Sequence, residues 1–341
     1  MSTRTSTPRE PLLALPMNAI RARKRPGAIA LLYLWELGFA LLVATPVHAW
    51  ARREWGSHPD GDALLWQPGG HALLAWIGDA NAALPMVIRT AIVMLAVGAA
   101  FSQLPLGALF AALGFARDDE GRAPRSASAL RAGINAFFPL VVVLAFLALT
   151  DLVVLGIGGA VASAANTGFE RSLGDARSFQ LHVVLLALFV LLSAFIGVFF
   201  DLVRAAIGRE AGLASIRGSV HPAWNVMLRG LRVAITASKS RGLLRAFAAW
   251  LARWSAGVVL LGVGWMASSF LGGMGGAAVV ALFAIHQLVV LGRVALRASW
   301  LAHAMRLVIP AQDDLLERAA AAASALEEEK PVESASADVS A

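Results

Sequence analysis

Cysteine is absent from all 341 residues, which excludes disulfides, thiolate nucleophiles, cysteine-held iron–sulfur clusters and cysteine zinc sites. Tyrosine occurs once, at Tyr33, and lysine only at Lys24, Lys239 and Lys330. Positive charge is therefore carried almost wholly by arginine. Charged residues make up only 15% of the chain while hydrophobic residues reach 58%, and a soluble domain, at most about half apolar, could not bury that excess. Familiar catalytic motifs are missing as well. There is no His-Glu-x-x-His, no Gly-x-Ser-x-Gly elbow and no Gly-x-x-x-x-Gly-Lys-Ser/Thr phosphate loop. Ser238 and Ser240 flank Lys239 without an acid or histidine to complete a triad. The seven histidines have no metal-ligand spacing. Neither a metal nor a cofactor is expected, and an enzyme has little support.

What the chain does contain is six long apolar blocks, from Gly27 to Ala49, Leu84 to Leu104, Ile134 to Ala160, Leu181 to Val203, Phe247 to Leu271 and Gly275 to Leu296. Each reaches the ~20 residues that a helix needs to cross a ~30 Å hydrocarbon core. The first follows Arg21, Arg23, Lys24 and Arg25 and ends in a cleavage-like Val47-His48-Ala49. It is nevertheless longer than the roughly 7 to 15 apolar residues of a signal peptide and contains Glu36, so a retained helix is expected. Ten tryptophans, among them Trp50, Trp55, Trp66, Trp76, Trp250, Trp254 and Trp300, lie near block ends or in a connecting loop, as amphipathic rings do at headgroup level.

Arginine distribution orients the blocks. The N-terminal arm and the second and fourth loops are rich in arginine, for example Arg117, Arg122, Arg125 and Arg131 in the second. The first loop sets Arg52 and Arg53 against Glu54, Asp60, Asp62 and Asp79, the third has only Arg171 and Arg177, and the fifth has no charge. Arg293, Arg297 and Arg306 follow the last block. By the positive-inside rule both termini are cytoplasmic. The expected fold is an all-α, polytopic transmembrane bundle of six helices with basic amphipathic interfacial helices. Residues 1–26 form a basic cytoplasmic arm, 27–308 the membrane domain, and 309–341 an acidic cytoplasmic tail, partly disordered, in which Asp313 and Asp314 cap a helix after Pro310. Pro105 should kink or end the second helix, and apolar clusters between Asp62 and Ala83 read as short helices on the outer surface. Helices two, four and six begin at even spacing and each odd helix follows a basic stretch, a weak signature of three tandem hairpins. Glycines such as Gly156, Gly158, Gly159, Gly257, Gly262, Gly264, Gly272 and Gly276 suggest close helix contact and a compact bundle.

Ionisable groups within the blocks each call for a partner or a purpose. Glu36 and the neighbours His286 and Gln287 lie at matching depth, which permits a contact between helices one and six. Arg89 and Asp151 fall in the outer half and permit an ion pair. Asp201 and Arg204 are spaced for an i,i+3 pair. Glu36, Asp151 and His286 read either as glue between helices or as a proton or substrate path. In the fourth loop, Trp224, Val226, Met227, Leu231, Val233 and Ile235 are interleaved with Arg229, Arg232, Lys239, Arg241 and Arg245, the makeup of interfacial helices on an anionic leaflet. The net charge of +7 thus points to membrane lipids with anionic headgroups, and not to nucleic acid. A protein partner or a second copy of the chain is compatible with the same face.

The order of parts, with Leu130-Arg131-Ala132-Gly133 leading into helix three, Asp201-Leu202-Val203-Arg204 closing helix four and Arg293 to Arg306 closing helix six, resembles bacterial six-helix membrane families, including the membrane domain found fused to glycerophosphoryl diester phosphodiesterases. The resemblance is one of layout over roughly Ile20 to Val308. It implies a bacterial inner-membrane location and transfers no active site. The expected function is that of a non-enzymatic membrane protein that organises lipids or partner proteins through its basic face. The alternative is a small transporter or permease-like subunit using Glu36, Asp151 and His286.

Overall fold

The computed structural model describes residues 13–55, 83–118, 120–217, 222–239, 242–271 and 274–328. Arg241, the apolar clusters between residues 62 and 82, Gly272 and the tail beyond 328 lie outside them. The helices are α1 (Pro26–Trp55), α2 (Ala83–Phe101), α3 (Gln103–Gly114), α4 (Ser126–Leu173), α5 (Asp175–Arg217), α6 (Ala223–Ser238), α7 (Gly242–Leu271) and α8 (Ala277–Glu328). Among the described residues the fold is all-α apart from one antiparallel pair of two-residue strands, β1 (Leu13–Ala14) and β2 (Phe115–Ala116). Among the described residues, six helical stretches are long and apolar enough to cross a membrane. Sequential helices pack as hairpins, α1 with α2, α4 with α5 and α7 with α8. The α4–α5 turn is a single residue, Gly174, at φ 75°, where a side chain would be strained.

Helices α4, α5 and α8 contain 48, 43 and 52 residues. At about 1.5 Å per residue they are roughly twice as long as the ~30 Å hydrocarbon core, so they project well beyond it. Their apolar surface is treated differently at the two ends. Towards the opposite end of the bundle, large side chains such as Leu152, Val259, Trp265 and Val280 are exposed. At the basic end, Leu32, Leu140, Leu202, Ile207, Leu301 and Met305 are almost fully buried in one cluster. The expected compact bundle is therefore corrected. A Cβ on Gly156, Gly159, Gly257 or Gly262 would meet nothing within 4 Å, whereas one on Gly158 would strike Phe189. Apolar surface at hydrocarbon depth can face lipid tails without loss, so a membrane-spanning bundle does not need a packed core along its whole length.

That core is centred on α3, whose residues are buried throughout except Leu104. The second apolar block breaks at Ser102 rather than at Pro105. The reason lies in the proline, which lacks an N–H and whose ring clashes with the carbonyl four residues earlier. A break at Ser102 puts Pro105 in the first turn of α3, where backbone N–H groups have no helical partner in any case. The Ala99 carbonyl at the break accepts from Ser102 Oγ at 2.7 Å and Gln103 Nε2 at 3.0 Å. From there α3 turns into the protein, packing on α4, α5, α1 and α8.

The tail differs from expectation too. Pro310 lies inside α8, which runs unbroken to Glu328, so Asp313 and Asp314 do not start a new helix. Val308, Ile309 and Ala311 pack in the core, Gln312 donates to Glu210 at 2.9 Å and Asp313 pairs with Arg209 at 3.0 Å. These contacts hold the helix through the proline.

Candidate functional site at the basic end

The site begins with Arg25, just before α1. Its guanidinium is 5% exposed and donates to the carbonyls of Ala112 at 2.5 Å, Gly121 at 3.1 Å and Phe115 at 3.3 Å. Two of these belong to the C-terminal end of α3 and the strand after it, where unsatisfied carbonyls carry the negative end of the helix dipole. Burial lowers the Arg25 pKa from its usual value, yet a guanidinium in a protein remains protonated. The N-terminal arm is thereby pinned to α3, and the Leu15 N–H adds a bond to the Gly114 carbonyl at 2.8 Å.

On α5, Asp201 pairs with Arg204 at 2.9 Å, the expected i,i+3 contact, and also accepts from Trp300 Nε1 of α8 at 2.8 Å. Helix α6 lies against this layer. Val226, Met227, Gly230, Val233 and Ala234 are buried at helical spacing, while Trp224, Arg229, Arg232 and Ile235 are exposed. Arg229 reaches Glu210 at 3.0 Å. Lys239 and Arg245, at the end of α6 and the start of α7, are exposed as well.

The polar groups along the apolar blocks are brought together differently from the sequence expectation. Glu36 does not meet His286. It pairs with Arg297 at 2.9 Å, while Gln287 accepts from the Tyr33 hydroxyl at 2.7 Å. Matching depth is insufficient, because the rotation of each helix decides what it presents. Tyr33 and Glu36, three residues apart on one face of α1, are what α8 receives. His286 Nε2 instead lies 3.0 Å from Ser268 Oγ and 3.3 Å from the Gly264 carbonyl on α7. Ser268 Oγ also lies 3.0 Å from that carbonyl, so the imidazole clasps α7 to α8. Nor do Arg89 and Asp151 form an ion pair. Asp151 accepts from Ser193 of α5 at 2.6 Å, and α2, which carries Arg89, packs chiefly on α1. Glu36, Asp151 and His286 thus belong to three separate helix contacts.

Two of the cavities among the described residues are lined by these polar groups. One of about 740 Å³ lies between α1 and α2 and is apolar except for Glu36, His48 and Ser102. The other, of about 300 Å³, lies between α7 and α8 and is lined by Arg253, Arg293, Arg297, the Asp201 carboxylate of α5 and three tryptophans. From the sequence alone Arg293 and Arg297 count only as topology charges and the tryptophans as belt residues. The available signal was their spacing, i,i+4 for both Arg293/Arg297 and Trp250/Trp254, which places each pair on one helix face. No cluster of metal-binding side chains is present among the described residues. Comparison with protein-family models, curated proteins and solved structures gives no match to this chain.

Proposed function

We propose that this chain is a non-enzymatic integral protein of the bacterial inner membrane, with both termini in the cytoplasm, that organises anionic lipids at the cytoplasmic leaflet. The observation that carries this reading is the division of labour on α6. One face seals the core and the other presents Arg229 and Arg232 beside exposed Trp224 and Ile235, with Lys239 and Arg245 close behind. Cations interspersed with aromatic and aliphatic groups on an amphipathic helix are what an anionic interface attracts. The same face would hold the helix parallel to the membrane surface, so that the packed core beneath it sits at headgroup depth.

Reconstitution in nanodiscs of mixed phosphatidylglycerol and phosphatidylcholine, followed by mass spectrometry of the lipid that co-purifies, tests the reading. Wild type is expected to be enriched in phosphatidylglycerol. Replacing Arg229, Arg232, Lys239, Arg241 and Arg245 with glutamine should remove most of that enrichment, since each cation near an anionic surface contributes about 1 kcal/mol. A variant that folds and keeps its lipid shell unchanged would refute the organising role of this face.

A further inference from the structure

We infer that the pocket between α7 and α8 is a binding site for the phosphate headgroup of a single anionic phospholipid. The inference rests on the orientation proposed above, which puts this pocket at the cytoplasmic leaflet. Its charge is unbalanced. Arg297 is answered by Glu36 and Asp201 by Arg204, but among the described residues no carboxylate pairs with Arg253 or Arg293. Arg253 reaches only neutral groups, the Ala249 carbonyl at 2.6 Å and Ser299 Oγ at 3.3 Å. Arg306, about two turns beyond Ser299 on α8, adds a cation whose Nη2 lies 3.4 Å from His303 Nδ1. Cations within apolar helices are costly and ordinarily face a counter-charge. Here a cavity of about 300 Å³ stands where that counter-charge belongs.

The walls fit a lipid better than a soluble anion. Trp250 and Trp254 stack on one face of α7 with ring centroids 6.1 Å apart, and Trp300 closes the far side with its indole N–H already committed to Asp201. Tryptophan at headgroup level is the ordinary companion of a glycerol backbone. Beyond the arginines, Val258 and Leu261 continue the lining along α7, away from the basic end, where an acyl chain would run. Guanidinium groups match phosphate oxygens in bidentate geometry, and two arginines free of carboxylate partners from facing helices supply such a clamp.

The test is native mass spectrometry of the detergent-solubilised full chain, titrated with phosphatidylglycerol, phosphatidylcholine or inorganic phosphate. Wild type is expected to retain one phosphatidylglycerol in preference to phosphatidylcholine. Glutamine at both Arg253 and Arg293 should weaken retention about 25-fold, taking about fivefold for each cation lost. Lysine at both positions keeps the charge but not the bidentate geometry, and should lose clearly less than glutamine. Equal loss in the lysine and glutamine variants would overturn the inference, because the pocket would then be reporting fold rather than charge. Displacement of the lipid by millimolar inorganic phosphate would overturn it in favour of a soluble anion. Failure of this site is distinguishable from failure of the broader reading. Loss of lipid on neutralising α6, with none on neutralising Arg253 and Arg293, overturns the pocket and leaves the α6 face standing.

Discussion

Valine in place of Gly133 is expected to separate α3 from α4 and to cost the folded protein about 3 kcal/mol, the upper part of the usual range for overpacking. A Cβ at this position would lie 2.8 Å from both the Ala108 nitrogen and the Leu104 oxygen, and one at Gly107 would lie 2.9 Å from Gly133 Cα. These are backbone atoms of two helices, so no side chain can rotate aside. Relief has to come from moving α3, and α3 is buried against four other helices. The control is valine at Gly156 or Gly257, where a new Cβ meets nothing within 4 Å, and where helix propensity, which ranks valine slightly above glycine, should leave stability unchanged or a little higher. Detergent-denaturation midpoints of the three variants, followed by tryptophan fluorescence, check the contrast. Equal midpoints for Gly133→Val and Gly156→Val would mean that α3 is not packed as described.

Leucine in place of Arg25 should destabilise the basic end by a similar amount. The side chain fills comparable apolar space near the backbone but leaves three carbonyls without their donor, two of them at buried positions. An unsatisfied buried acceptor costs ~1–3 kcal/mol, and loss of the charge at the helix terminus adds to it. The expected total is about 3 kcal/mol. The N-terminal arm should also loosen, the remaining ties being the short β1–β2 pairing with its adjoining Leu15 bond and the buried Ile20 side chain. Limited proteolysis before α1, read together with the denaturation midpoint, separates the two consequences. Protection of the arm with an unchanged midpoint would show that Arg25 does not hold it. Arg25→Lys should recover only part of the loss, since one ammonium cannot span three diverging carbonyls as a guanidinium does.

The six long apolar helices were legible in the sequence because a membrane-crossing helix is defined by the length of an apolar run, which composition alone reports. The fate of α3 was not. Residues 84–114 form a nearly continuous apolar stretch, and hydropathy is the same whether a side chain faces lipid or protein. Pro105 signalled an interruption, but that the second piece turns into a core depends on Gly107 and Gly133 meeting across helices, a relation between segments. Arg25 shows the same limit from the polar side. As one of four basic residues before the first block it reads as a topology charge, and its role as a cap on α3 appears only when residue 25 is brought beside residue 112. Asp201 and Arg204 were legible because their pairing is local, one helical turn apart. Glu36, Asp151 and His286 stand out in the sequence as polar residues within apolar blocks, but their partners do not, since pairing requires the rotation of each helix about its axis. The α7–α8 pocket combines both difficulties. Its residues are ordinary for helix ends, and only their convergence from two helices brings Arg253 and Arg293 to a cavity whose one lining carboxylate, Asp201, is already taken by Arg204 and Trp300.

The proposed function and the headgroup site both require the basic end of the bundle to face the cytoplasm, and the natural absence of cysteine makes that directly measurable. Single cysteines at Lys239, exposed beside α6, and at Asp175, exposed at the α4–α5 turn, can be probed with a membrane-impermeant maleimide in intact cells and in inverted membrane vesicles. Lys239→Cys should react in inverted vesicles and not in cells, and Asp175→Cys the reverse. Labelling of Lys239→Cys from outside intact cells would place the basic face away from the cytoplasmic leaflet and would contradict both the proposed function and the headgroup site that rests on it.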